Sequence, residues 1–403
     1  MDLAASPRPA TWPVGHLDVD QLAKDGWSPE PFHQFVVKVH SRCNLACDYC
    51  YMYESADQSW RSQPKVMSEQ TFATACRQIA EHARRHRVPE VGFVFHGGEP
   101  LLVGARRLDR FATIATETIG PVASLRMGMQ TNGVLFDEDI ARTCAAHGIR
   151  VAVSVDGAGG AHDRHRRFRD GAGSYRSVVA GIERLSSEPF RHLYAGLLCT
   201  IDLANDPVET YESLVGLRPP IVDFLLPHGN WTQPPPGRVA GGPPVYADWL
   251  IRIFDRWYRA PELETRVRLF EDIMGMLLGR DRSSESIGLG PVRVAVIETD
   301  GSIEQVDTLK TAFAGATKVV TSGRNPLDSA LRTPEIVVRQ IGAKALCDTC
   351  LDCPAHRICG AGNYTHRYAH TTGFLNPSVY CPDLFHLIAH ITAQLNCDLS
   401  HPA

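Results

Sequence analysis

The chain has 403 residues, 44% of them hydrophobic and 21% charged, with a formal net charge of −4. That suffices for two domains, or one barrel with an appendage, around a large core. It excludes a global basic field of the kind that grips nucleic acid or an acidic membrane surface. The start, Met1-Asp2-Leu3-Ala4-Ala5-Ser6, lacks the basic segment and apolar run of a secretory signal, and no apolar run is long enough to span a bilayer. A cytoplasmic chain is expected, in which cysteines clustered at short spacings are more often ligands than disulfides.

Residues 1–33 are rich in Pro and polar groups and read as an irregular arm with a short helix near Asp18–Lys24. A regular alternation then begins. Phe35-Val36-Val37-Lys38-Val39 is a strand; Ser68 caps a helix whose Phe72, Ala75, Cys76, Ile79 and Ala83 share a face. Val91–Phe95, Leu125–Gln130, Arg150–Val155, Tyr194–Ile201 and Ile221–Leu226 are further strands, separated by helices near 106–119, 137–147 and 174–186. Six strands spaced by helical patterns predict a parallel sheet with right-handed crossovers. The Pro/Gly-rich stretch 230–244 is a loop or linker. Helices follow near 245–259 and 266–279, the first with a core stripe of Trp249, Ile253, Phe254 and Trp257. Residues 293–306 predict a hairpin turning at Asp300-Gly301.

The twelve cysteines form two clusters and four singles. The first cluster, Cys43-Asn44-Leu45-Ala46-Cys47-Asp48-Tyr49-Cys50, places three thiols in one loop at the end of the first strand. Thiolates are soft ligands, and such spacing wraps a metal or cluster. A closed structural zinc site takes four protein ligands, so three leave a vacancy, unless His40 or another residue supplies the fourth. Gly97-Gly98-Glu99-Pro100, Gln130-Thr131-Asn132-Gly133 and Ser154-Val155-Asp156 end the next three strands. In an α/β barrel these are the loops that build the active site.

The C-x3-C-x2-C loop, with Tyr49 before its last Cys, resembles the signature of the radical S-adenosylmethionine (SAM) enzymes. The resemblance implies a partial (β/α)6 barrel. It also implies a [4Fe-4S] cluster on Cys43, Cys47 and Cys50, whose open iron chelates SAM and cleaves it to a 5′-deoxyadenosyl radical. Gly97, Gly98 and Glu99 match the family's GGEP stretch, which receives the SAM ammonium through a backbone edge and a carboxylate. Gln130, Asn132, Ser154 and Asp156 match positions contacting the ribose, and Tyr49 would lie near the adenine. His162-Asp163-Arg164-His165-Arg166 resembles the HDxxR stretch of peptide-modifying members, in which Arg166 would pair with the SAM carboxylate. Arg164, Arg167 and Arg169 nearby are equally consistent with a solvated basic loop.

The second cluster comprises Cys347, Cys350, Cys353, Cys359 and Cys381. C-x2-C pairs suit zinc as well as iron–sulfur clusters. The spacing resembles a SPASM-type auxiliary-cluster motif, which usually serves two clusters. Here Asn363 stands where a fourth close Cys is expected, Val306 stands where a Cys precedes the Asp, and no Cys lies between 200 and 346. The resemblance therefore implies one auxiliary [4Fe-4S] cluster on Cys350, Cys353, Cys359 and Cys381, with Cys347 as a fifth candidate. The expected organisation is an arm (1–33), a radical SAM barrel (34–230), a linker with bridging helices (231–285) and an α+β SPASM-like domain (286–403). Cys76, Cys144, Cys199 and Cys397 read as small apolar core residues.

Over roughly residues 30–395, stretches such as Asp307-Thr308-Leu309-Lys310, His366-Arg367-Tyr368 and Asn376-Pro377-Ser378-Val379-Tyr380-Cys381 look like FxsB-type radical SAM/SPASM peptide maturases. Several of these join an aromatic ring to a Cβ in a cyclophane. The implied activity is oxidative carbon–carbon crosslinking of a ribosomally made precursor peptide, with flavodoxin or ferredoxin as electron donor. Thioether formation and formylglycine generation, as in sulfatase maturation, are the alternatives. A zinc-stabilised peptide-binding barrel is the non-catalytic one. Asp307 matches an acid that faces the substrate and takes its proton, and a dry pocket would raise its pKa for that role.

Overall fold

The computed structural model describes residues 17–400 apart from 240, 282 and 322–324. The first sixteen residues of the expected arm lie outside the described residues. Helix α1 (Val19–Lys24) starts at Asp18, whose carboxylate accepts from the Gln21 N–H at 2.8 Å.

Six parallel strands lie side by side in sequence order: β1 (Gln34–His40), β2 (Glu90–Gly97), β3 (Ser124–Thr131), β4 (Arg150–Ser154), β5 (Tyr194–Thr200) and β6 (Ile221–Leu225). The intervening helices are α2 (Glu69–His86), α3 (Ala105–Ile119), α4 (Glu138–His147), α5 (Gly159–His165), α6 (Tyr175–Ser186) and α7 (Pro207–Val215). This is the expected α/β half-barrel. Its local signals are physical. Ser68 Oγ accepts from Thr71 N at 3.0 Å to start α2, Asp137 caps α4, and Gly148 ends α4 in the left-handed region. Burial alternates along β2: Val91, Phe93 and Phe95 are buried, and Phe93 and Phe95 lie beside Phe72 of α2. Gly92, Val94 and His96 project from the opposite, inner face, as the two-residue period of a strand requires.

After α8 (Val245–Tyr258), the expected helix at 266 opens instead with a two-residue strand, β7 (Arg266–Val267), paired to β6, and continues as α9 (Arg268–Leu277). The predicted hairpin is β8 (Val294–Ile297) and β9 (Ile303–Glu304). It does not stand apart. Strand β8 pairs in parallel with β1, Gln34 opposite Val294 through Val37 opposite Ile297, so one nine-stranded sheet runs from β7 to β9.

The remainder is short helices, α10 (Pro326–Ala330), α11 (Pro334–Val337), α12 (Asp348–Leu351) and α13 (His356–Cys359), and then α14 (Cys381–Ser400). Sequence reading missed α14, which packs on α8 and α9. Asp383 in its first turn accepts from Tyr246 N at 2.9 Å and Ala247 N at 3.2 Å, capping α8 and fixing the backbone that carries Cys381. Tyr380, Leu384 and Leu387 join the same apolar cluster as Phe254 and Phe270, so the core runs across the boundary expected at 285/286. Cys76, Cys144 and Cys199 are buried; Cys397 is exposed on the last turns of α14, contrary to the core position expected for it.

Candidate active site

The first Cys loop leaves the C-terminal end of β1 and is pinned from three sides. Ala46 N donates to Arg167 O at 2.8 Å, and Leu45 bridges Phe168, tying the loop to the segment after α5. Asn132 Nδ2 donates to Asn44 Oδ1 at 2.8 Å and points at Cys43 Sγ from 3.6 Å. Leu45 N lies 3.4 Å from the same sulfur. Burial pushes the Cys43 thiol up to about 12 and Cys50 to about 11, so all three sulfurs need a cationic centre to hold them as thiolates. A zinc ion draws its sulfurs to about 3.8 Å apart. Among the described residues, no three Cys Sγ atoms lie within 4.8 Å of one another. His40 Nδ1 lies 3.1 Å from both Arg42 N and Arg42 O. The donor set fits a cluster of several irons.

The Gly-Gly-Glu-Pro stretch lies against this loop. Gly98 N donates to His40 O at 2.8 Å and Glu99 N to Arg42 O at 3.0 Å. A Cβ on Gly98 would sit 1.8 Å from the Tyr53 hydroxyl and 2.6 Å from Arg42 O, and one on Gly97, at φ +151°, 2.1 Å from His40 O. The close approach that the glycines permit is thus to the protein's own backbone beside the Cys loop. Glu99 is 1% exposed and accepts from Leu101 N (2.9 Å), Thr131 Oγ1 (2.7 Å) and Asn132 N (2.8 Å). A carboxylate offers about four acceptor positions, so one remains for an ammonium. Burial raises its pKa against those bonds.

Next to it, Gln130 Nε2 donates to Ser154 Oγ at 2.9 Å across the ends of β3 and β4. Two residues expected at the ribose face elsewhere. Asn132 grips the Cys loop. Asp156 turns inward, accepting from Thr200 N at 3.0 Å and from the Tyr49 hydroxyl, because a buried carboxylate takes the donors closest to it. Tyr49, expected near adenine by its ring, is held by its hydroxyl, which also accepts from Arg166 Nη1 at 2.8 Å. Arg166 is buried, lies 3.9 Å from Asp156, and keeps its Nε without a hydrogen-bond partner. That orphan donor is what a carboxylate ligand would satisfy. The neighbouring arginines are spoken for: Arg164 pairs with Asp202, Arg167 bonds Asp163 O and Arg169 bonds Cys43 O.

Cys350, Cys353, Cys359 and Cys381 line one cavity together. Cys347 does not line it; its thiol pairs with that of Cys350. Burial pushes Cys350 up to about 12 and Cys359 to about 11. Arg367 braces the loop after Cys359 by donating to Gly360 O (2.5 Å), Gly362 O (3.0 Å) and Ala361 O (3.2 Å). Asn363 accepts from Thr365 N at 3.1 Å and caps its own turn.

Asp307 occupies an ionic centre that sequence reading missed. Lys38, on β1, lies 2.5 Å from both Asp307 and Glu298; Lys310 lies 3.1 Å from Glu304 and 3.4 Å from Glu298. All five are buried. Burial alone would raise the Asp307 pKa, but Lys38, Lys310 and His96 outweigh it and hold the carboxylate below its ordinary range. This reverses the raised pKa expected for Asp307. His96 on β2 adds an Nδ1 without a hydrogen-bond partner among the described residues, and half-buried Tyr51, beside Cys50, feels the Asp307 charge. A lysine inside the apolar run Phe35–Val39 was the one available signal, since a lone charge in a buried strand needs a partner.

The half-barrel rim brings together three clustered thiols, an open acceptor position on Glu99 and the unpartnered Nε of Arg166, a set of groups that suits an iron–sulfur cluster and a small zwitterion. Residues 37–216 match the model of the Radical SAM superfamily. It is 25% identical over 297 residues to a serine-type anaerobic sulfatase-maturating enzyme of Bacteroides thetaiotaomicron, covering 69% of this chain and 70% of that one. A cysteine-type enzyme of Clostridium novyi is 25% identical over 276 residues, 66% of this chain and 71% of the relative. The fold superposes on anSMEcpe with bound AdoMet (TM-score 0.75, 19% identity, 91% and 98% coverage). It also matches Streptococcus suis SuiB bound to precursor peptide SuiA (0.56, 14%, 89% and 78%).

Proposed function

We propose that this chain oxidises a residue of a peptide at its β-carbon. One observation carries the reading: the Asp307 carboxylate, held ionised by Lys38 and Lys310, is close enough to Tyr51, next to Cys50, for its charge to act on that phenol. That interaction supports Asp307 as a proton acceptor near the place where a radical would start. SAM on a reduced cluster supplies a 5′-deoxyadenosyl radical that can remove a hydrogen atom from carbon. Cys43, Cys47 and Cys50 would hold that cluster. Glu99's remaining acceptor position suits the SAM ammonium and the Arg166 Nε its carboxylate, while Gln130 and Ser154 offer polar atoms to a ribose. Cys350, Cys353, Cys359 and Cys381 would hold an auxiliary cluster, a one-electron centre. Asp307 then takes the proton that leaves as the substrate loses its second electron.

Relatives named as sulfatase-maturating enzymes favour conversion of a Ser or Cys side chain to an aldehyde. The FxsB-like stretches, among them Asp307–Lys310, favour the second reading, closure of the radical onto an aromatic ring. Both outcomes on a Ser-containing or aromatic peptide remove two hydrogens. The test is anaerobic turnover of the reconstituted enzyme with SAM, a reductant, and both a Ser-containing peptide and short peptides encoded beside the gene. A product two hydrogens lighter that reacts with a hydrazide probe is the aldehyde. One that does not react, and resists fragmentation between two residues, is the crosslink. SAM cleavage with no change in any peptide rejects both.

A further inference from the structure

A second polar cleft lies beside the auxiliary cysteines and contains none of them. It has about 50 Å³ of open space and is lined by Arg339, Arg367, Tyr364, Glu285 and several glycines. That is room for a few waters or the head of one small anion. Gly360 and Gly288 form one wall; a Cβ on Gly360 would meet Gly288 O at 1.8 Å, so the wall is backbone with no side chain to plug the cleft.

Arg339 is 6% exposed, and its Nε, Nη1 and Nη2 all lack a hydrogen-bond partner among the described residues. Among the described residues, its ion-pair partner is Glu285, 3.5 Å from Nη2, and Glu285 Oε1 is already taken by Thr308 Oγ1 at 3.0 Å. Arg367 carries a second guanidinium to the cleft, so two cations face one carboxylate. Tyr364 lies between them, 5.8 Å from the Arg339 guanidinium and 4.9 Å from that of Arg367. A buried guanidinium without acceptors is destabilising, because burial strips its water and nothing replaces it. Such a fork matches a carboxylate through two parallel N–H···O bonds.

We propose that Arg339 is the receptor for a carboxylate of the peptide substrate, from an acidic side chain or a free C-terminus. Arg367 supplies the second positive charge, and Glu285 is the resident competitor. The placement suits a substrate anchor, because Glu285 is bonded to Thr308, the residue after Asp307. The peptide source rests on the function proposed above; the anion site does not.

Calorimetric titration of the reconstituted enzyme without SAM tests it. Three probes are compared: N-acetyl-glutamate amide, N-acetyl-glutamine with a free carboxylate, and neutral N-acetyl-glutamine amide. The expected result is saturable binding of one or both carboxylates and none of the neutral amide. Binding should be at least tenfold weaker in Arg339→Met and several-fold tighter in Glu285→Gln. The preferred carboxylate names the source. Equal binding of the neutral probe, no binding of either carboxylate, or unchanged affinity in both variants overturns the site, the cleft then holding water alone. Should R339M fail to fold, the opposite shift in E285Q still decides. Arg339-dependent binding without peptide modification would overturn the proposed activity and leave the anion site standing.

Discussion

The barrel rim and the hairpin each carry a buried charged centre, and the two are built on opposite plans. At the barrel rim one cation, Arg166, faces two carboxylates, Glu99 and Asp156, which are satisfied mainly by backbone N–H groups and hydroxyls. At the hairpin two lysines, Lys38 and Lys310, face three acids, Glu298, Glu304 and Asp307. The rim leaves valences open: one acceptor position on Glu99 and the Nε of Arg166. The hairpin closes its valences on itself, and what it fixes is the charge on Asp307. A site that must receive a ligand keeps buried groups incompletely paired, whereas one that must start from an ionised carboxylate surrounds it with cations.

Removing the thiols that anchor the rim gives the largest effect. Cys43→Ala/Cys47→Ala/Cys50→Ala should abolish SAM cleavage and lower the iron content, read by chromatography of 5′-deoxyadenosine and by metal analysis; cleavage that survives would refute the radical start. Next, Asp307→Asn should cut peptide product by about 10²–10⁴-fold, the usual range for a lost acid–base group, while SAM cleavage persists. Loss of both together would assign Asp307 to the rim's work instead. Lys38→Met strands buried carboxylates and should cost about 3–5 kcal/mol in urea unfolding. The Lys38→Met/Asp307→Asn pair should recover part of that loss; strict additivity would deny the coupling.

The smallest effect has opposite signs in the two centres. Asp307 has a folded pKa below its ordinary value of 3.8, so its contribution is full above that value and is lost as pH falls through the folded pKa. Glu99 has a folded pKa raised above 4.5 by burial, so it favours the fold when protonated, and that contribution is lost as pH rises through the folded pKa. Between pH 7 and pH 3, apoprotein of Asp307→Asn should therefore lose less stability than wild type, and Glu99→Gln more. The same sign in both variants would show that the two centres do not differ as described.

How much of this the sequence discloses depends on how far apart the partners are. The half-barrel is legible because each strand and helix announces itself within a few residues, by alternation in Val91–Phe95 or by Ser68 ahead of an apolar face. The Cys triads are legible because spacing along one loop is their geometry. The partners of Asp307 are not, because Lys38 meets it only once β8 has paired with β1, a contact with no local pattern. The inward turn of Asp156 has the same cause, since Thr200 approaches from β5. Helix α14 was hidden by its first residues, Cys381-Pro382-Asp383, which read as the end of the cysteine motif; the N–H groups that Asp383 accepts from lie on α8, more than a hundred residues away.

The parallel seam between β1 and β8 also sets a timetable for synthesis. Lys38 leaves the ribosome 269 residues before Asp307, roughly ten to fifty seconds at usual elongation speeds. During that interval the nascent half-barrel carries a lysine headed for burial without its counter-charges, and β1 presents an open edge to other chains. The emerging protein therefore has reason to stay loose, or chaperone-bound, until its last quarter arrives.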